Sequence, residues 1–320
     1  MMKKNLGWIV LSVFYISSLS AQERYQDSIF AAIAKQSLIY DDTLGMDVYS
    51  PQKDKEKLRP LLLYVHGGAF AVGKRDEEAY NQFCRAFAYK GYVAATMSYT
   101  LVMKGKSFSC DQPAPNKIET FRLTANDISR AVAYLIQNHQ QLGIDTNRIV
   151  LLGSSAGAEA ILHAAYWNAS RITPSGQKIL SEKFRYAGIV SLAGALVSLD
   201  FIREENAIPT QLFHGTCDNL VPYAAAPHHY CDVSAPGYLP LYGGYAIAER
   251  LKSLGKSYYL VTACKGGHEW AGIPLSQNLT EISDFLYKDV LQKAQIRQIH
   301  TILATNKPDC SSYPSFNYCK

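Results

Sequence analysis

Ser155 stands in Gly153-Ser154-Ser155-Ala156-Gly157, the Gly-x-Ser-x-Gly spacing that lets a serine sit exposed in a sharp turn between a strand and a helix. A serine hydroxyl is a poor nucleophile until a base takes its proton, and the base needs a third group to fix its tautomer and balance its charge. Two later loops offer both groups: Asp218 in His214-Gly215-Thr216-Cys217-Asp218, and His268 in Gly266-Gly267-His268-Glu269. The chemistry this implies is nucleophilic attack by Ser155, with His268 as base and Asp218 as its partner. Asp200, after the preceding strand, is the alternative acid. The serine pattern alone carries little weight, because at roughly 7% Gly and Ser it arises by chance in about one chain of this length in ten.

Attack on a carbonyl creates an oxyanion that needs backbone N–H donors aimed at it. The run His66-Gly67-Gly68-Ala69-Phe70 offers the amides of Gly68 and Ala69, and Ala156 adds the amide just after the serine. His66 reads as a brace for this turn, His163 as a packed helix residue, and Glu269 as solvent-facing. Phe70, Tyr223, His228, His229 and Tyr230 are candidate substrate contacts; equally, tyrosines in such a loop can simply pack it.

These loops need strands behind them. Residues 61–65, 92–100, 148–152, 186–194, 210–216 and 257–263 read as buried strands, and 35–51 as two edge strands around a turn. Helical patterns cover Glu77–Lys90, Asn126–Asn138, Ala156–Trp167, Gly244–Leu254 and about Leu275–His300. Strands alternating with helices predict an α/β fold with a mostly parallel central sheet and helices on both faces. In such sheets the active site lies at the carboxyl ends of the strands, where all four loops fall. Two segments, Thr100–Thr120 and Tyr223–Tyr242, read as insertions.

Met1–Lys4 carries two lysines, Leu6–Leu19 is apolar, and Ser20-Ala21 offers a cleavage site, so residues 1–21 read as a signal peptide. Residues 22–320 then form one domain, periplasmic or secreted, with no stable membrane insertion. Loss of Lys3 and Lys4 lowers a net charge of only +5, which gives nucleic acid no basic surface to bind. All seven cysteines lie in the mature part, at 84, 110, 217, 231, 264, 310 and 319. An oxidising compartment predicts at least one disulfide among them. No Cys-x-x-Cys or zinc-like His spacing occurs, so no metal site is expected.

Together "YVHGGAF", "GSSAG", "HGTCDNLVPY" and "GGHEW", with "GMDVYSP" near the start, resemble the α/β-hydrolase superfamily, in particular its exported carboxylesterases and lipase-like enzymes. The resemblance runs from about Leu38 to Val290. It implies a Ser–His–Asp acyl-enzyme mechanism without a cofactor, on small-molecule or carbohydrate-linked esters of short acyl or aryl groups. Acetyl or feruloyl groups of plant polysaccharides are one such target. Ala69 departs from the third glycine of the common His-Gly-Gly-Gly pattern and narrows the space above it. A peptidase or amidase on the same fold is the alternative enzyme. A catalytically silent binding protein is the alternative outside enzymes.

Overall fold

A computed structural model describes residues 23–307, 310, 318 and 319; the expected signal peptide lies outside the described residues. Its centre is a nine-stranded sheet in the order β1-β2-β4-β3-β5-β6-β7-β10-β11. These strands are β1 (Ile33–Asp41), β2 (Leu44–Pro51), β3 (Arg59–Val65), β4 (Val93–Met97), β5 (Ile144–Ser154), β6 (Gly188–Leu192), β7 (Thr210–Gly215), β10 (Tyr258–Ala263) and β11 (Gln298–Leu303). β1 and β2 pair antiparallel, as do β2 and β4, and every other neighbour is parallel. Between β7 and β10 a short hairpin of β8 (Ala225–Pro227) and β9 (Pro240–Tyr242) stands apart from the sheet.

The apolar runs of the central strands serve two cores at once. Leu61, Leu63 and Val65 of β3 point into one hydrophobic cluster while Leu62 and Tyr64 point into the other, and Leu151 and Leu152 divide in the same way on β5. The helices that cover the first face are α2 (Ala114–Gln137), α4 (Ala156–Tyr166) and α5 (Gly244–Ser253). The second face is covered by α1 (Glu78–Tyr89) and α7 (Leu279–Phe285), with α6 (Pro274–Gln277) beside them. A short α3 (His139–Leu142) leads into β5. Burial on both faces is what turns an alternating strand pattern into a continuous apolar one.

Two helix boundaries differ from the sequence reading. α2 starts at Ala114, not Asn126, because Pro115 sits in its first turn and Phe121, Thr124 and Ile128 continue one buried stripe. The last third of the expected insertion 100–120 is therefore helix. The C-terminal helix stops in a π-helical turn at Leu286–Gln292, and Gln298–Leu303 forms the parallel edge strand β11. Its alternation of exposed and half-buried residues is the period-2 pattern of an edge.

Cys110 bonds to Cys231, Cys217 to Cys310 and Cys264 to Cys319; Cys84 is a buried thiol. The first bridge joins the two inserted segments, which also pair through the Ala114 N–H to the Pro236 carbonyl at 2.9 Å. The other two tie the C-terminal tail to the loops after β7 and β10. Three disulfides fit an oxidising compartment. Among the described residues no helix is long and apolar enough to cross a membrane.

Candidate active site

β5 ends at Ser154 and α4 starts at Ala156, so Ser155 alone makes the turn, at φ 53° and ψ −124°. A non-glycine residue in that region is strained, and its neighbours must allow the bend. At Gly157 a Cβ would collide with the Val65 carbonyl, so no larger residue fits where α4 crosses β3. The Ser155 N–H donates to the Leu192 carbonyl at 2.8 Å, which holds the turn against β6. Ser154, the other serine, is buried and accepts a hydrogen bond from the Tyr64 hydroxyl at 2.9 Å.

Asp218 follows β7 and His268 follows β10, adjacent parallel strands, so their loops leave the same sheet edge side by side. The loops also bond to each other: the Cys217 N–H donates to the Gly266 carbonyl at 2.7 Å, and the Lys265 N–H to Thr216 Oγ1 at 2.8 Å. The result is one continuous chain of contacts. Ser155 Oγ lies 2.7 Å from His268 Nε2, and His268 Nδ1 lies 2.8 Å from Asp218 Oδ2. The second oxygen, Asp218 Oδ1, accepts the N–H groups of Leu220 at 2.9 Å and Val221 at 3.0 Å. Burial pushes the Asp218 carboxyl up, but hydrogen bonds from His214 and His268 outweigh it and hold the acid well below the usual carboxylate range. Such an arrangement can take a proton from Ser155 and stabilise the imidazolium that forms. Asp200 sits exposed in a 3₁₀ turn, Leu199–Phe201.

The turn after β3 packs directly on the serine turn: a Cβ at Gly67 would stand 3.1 Å from Ser155 Cβ. Gly68 and Ala69 both have positive φ, and the Gly68 carbonyl is turned outward to accept the N–H groups of Ala71 and Val72. Among the described residues the amides of Gly68, Ala69 and Ala156 have no acceptor. His66, buried beneath, stacks on Tyr99 at 4.3 Å. Ser155 and His268 open into a cleft of about 610 Å³ whose walls include Val72, Leu220, Leu275, Glu77 and Tyr80.

The expected substrate contacts do not line that cleft. Phe70 is fully buried, edge-on to Phe108 and Phe121, because its positive φ turns the side chain into the core. Tyr223 is buried with its hydroxyl 2.6 Å from Thr262 Oγ1. His228 is buried with Nε2 3.7 Å from Glu159 Oε1. His229 and Tyr230 are half-buried behind Leu220, whose carbonyl accepts the His229 N–H at 2.9 Å. Glu269 takes the Gly267 N–H at 2.9 Å and pairs with Lys307.

Sequence reasoning passed over four residues here. His214 lies four residues before Asp218, and its Nε2 is 3.4 Å from Asp218 Oδ2. Glu159, one turn after Ser155, is wholly buried; burial, then the Asp218 charge, pushes its carboxyl well above the usual range. Glu77 and Tyr80 enter the cleft wall from the start of α1. The run "HGTCD" could have flagged His214; nothing local marks the other three.

The BD-FAE family model matches residues 46–197, which span the oxyanion-type turn and the serine turn but stop before Asp218 and His268. Gut esterase 1 of Caenorhabditis elegans is 29% identical over 121 residues, covering 38% of this chain and 20% of its own. Carboxylesterase 3 of Homo sapiens is 26% identical over 179 residues, covering 55% of this chain and 29% of its own. The chain thus spans less than a third of the length of these curated relatives. Esterase Est2 of Thermogutta terrifontis with butyrate bound superposes with a TM-score of 0.57 at 17% identity, over 82% of this chain and 95% of its own. Its propionate-bound structure gives the same score at 18% identity. The fold is that of the α/β hydrolases.

Proposed function

We propose that this chain is a serine carboxylic ester hydrolase for short acyl or aryl esters, exported to the periplasm or beyond after loss of residues 1–21. The observation that carries the reading is the Ser155–His268–Asp218 chain, with contacts of 2.7 and 2.8 Å at a strained serine turn. His268 Nε2 takes the Ser155 proton as Oγ attacks the ester carbonyl. The oxyanion accepts the amides of Gly68, Ala69 and Ala156, each donor of this kind contributing about 10²–10³ in turnover. His268 then protonates the departing alcohol, and water, activated by the same imidazole, releases the acid from Ser155. The esterase relatives in sequence support ester hydrolysis, and the butyrate and propionate bound in the Est2 structures suggest the acyl lengths to try first. Acetyl or feruloyl esters on polysaccharide are the natural targets to try.

A fluorophosphonate probe with peptide mapping tests this. The expected adduct is on Ser155, absent in Ser155→Ala and retained in Ser154→Ala, with ester hydrolysis following the label. An adduct on Ser154 overturns the assignment of the nucleophile. A protein that takes no label is a binding protein, and one that cleaves a proline anilide faster than methyl ferulate or acetylated xylan is a peptidase.

A further inference from the structure

The cleft in front of Ser155 has an uneven charge. Among the described residues that line it, Glu77 is the one carboxylate, and none is Lys or Arg. Nearby, Arg75 turns away to Asp47 at 3.4 Å and Glu78 holds Arg85 at 2.5 Å, while Lys74 and Asp76 are exposed to solvent. Among the described residues Glu77 has no cationic partner. It occupies the N-cap position of α1, and its side chain makes no cap hydrogen bond. Its backbone is nonetheless fixed, since its carbonyl accepts the N–H groups of Tyr80 and Asn81, both at 3.1 Å. A carboxylate on a fixed backbone, with no ion-pair partner among the described residues, therefore lines the cleft. Beside it stands the Tyr80 ring, tilted on Tyr64 at 4.6 Å, whose phenol is pushed up by burial and then by the Glu77 charge.

The side of the ester that meets this wall follows from the proton path. The departing oxygen has to lie at His268 Nε2, and His268, with Ala271 and Leu275 beyond it, lines the same cleft as Glu77 and Tyr80. From this juxtaposition, and resting on the ester-hydrolase reading above, we propose that Glu77 and Tyr80 form the alcohol-side subsite and select esters whose alcohol portion carries a positive charge. The carboxylate attracts the cation, and the tyrosine face adds a cation–π contact.

The experiment uses two acetyl esters of the same shape, acetylcholine and 3,3-dimethylbutyl acetate, which differ only in charge. The expected kcat/KM ratio in favour of the cation is about three- to tenfold at low ionic strength, the range for one opposite charge in a partly solvated cleft. It shrinks as salt is added. Glu77→Gln brings the ratio to about one, and Glu77→Lys inverts it; a ratio is insensitive to the fraction of a variant that folds. Equal hydrolysis of the two esters by wild type, or a preference that survives Glu77→Gln, overturns the subsite while leaving the ester hydrolase intact. Hydrolysis of neither, with no label on Ser155, overturns both.

Discussion

His214 Nε2 lies 3.4 Å from the same Asp218 Oδ2 that receives His268 Nδ1, so two imidazoles converge on one buried carboxylate oxygen. The tautomer of His214 is set from behind: the Gly244 N–H donates to Nδ1 at 3.3 Å, which leaves the proton on Nε2, shared between Asp218 and the Val221 carbonyl at 3.1 Å. In the proposed mechanism His214 is a positioning residue that acts through Asp218. His214→Phe keeps a ring and removes the donor, so the carboxylate loses part of its hold and His268 its orientation. The expected result is a fall in kcat of about tenfold, or 1.4 kcal/mol, with KM little changed. His214→Gln, which can still donate, loses less. Wild-type kcat in both would show that His214 serves packing alone.

Two of the three disulfides fasten the C-terminal tail to the active edge: Cys217 adjoins Asp218, and Cys264 lies four residues before His268. The sheet itself is held by its two apolar cores. Graded reductant should therefore lower ester hydrolysis before far-ultraviolet circular dichroism changes, and Cys310→Ser with Cys319→Ser should reproduce the effect. Each bridge also contributes about 2–4 kcal/mol to stability by restricting the unfolded chain. Loss of activity and of secondary structure in a single step would contradict the separation.

The central strands were legible because burial on both faces leaves apolar runs, as in Leu61–Val65, and the meeting of Ser155, Asp218 and His268 at one sheet end was legible because each follows such a run. What misled was context. Helix α2 began twelve residues early because Pro115, normally a breaker, is tolerated in a first turn. Gln298–Leu303 read as helix because an edge strand with one half-buried face has a weak signal beside a long amphipathic segment. Phe70 and Tyr223 looked like substrate contacts from their proximity in sequence to the reactive loops, but their side-chain directions depend on a positive φ and on a distant Thr262. Glu77 carried no local signal: it lies eight residues after Ala69 and reaches the cleft wall only with α1 folded onto the sheet.

His163 makes the fold sensitive to acid. Its Nδ1–H donates to the Glu159 carbonyl at 2.7 Å, and its Nε2 accepts the Val197 N–H at 3.3 Å, so a second proton would set two N–H groups against each other. Burial lowers its pKa to about 4. A depressed histidine gives stability that is present above the unfolded value of about 6.5 and lost as pH falls toward 4, at up to about 1.4 kcal/mol per pH unit. His163→Gln removes this dependence at the cost of packing on Phe121. The gap between wild-type and variant urea midpoints should therefore narrow from pH 7.5 to pH 5. A constant gap would assign the acid response to other groups.

Acyl length is set by how much wall the cleft offers. Each further methylene gains roughly 0.8 kcal/mol only where an apolar surface receives it. Away from the alcohol side, the apolar side chains of the cleft are chiefly Val72 and Leu220, and Val72 is 64% exposed, so it covers little of a chain laid against it. Behind the Gly67–Ala69 turn the space is already filled by Phe70, Phe108 and Phe121. Ala69 in place of a glycine narrows what remains. Acetyl to butyryl esters should accordingly have the highest kcat/KM, falling beyond about eight carbons by tenfold for every 1.4 kcal/mol of transition-state binding not gained. The measurement is a series of aryl esters kept below their micelle threshold. A steady rise to about twelve carbons would mean that a long apolar channel receives the chain, and the short-acyl reading would be abandoned for a lipase.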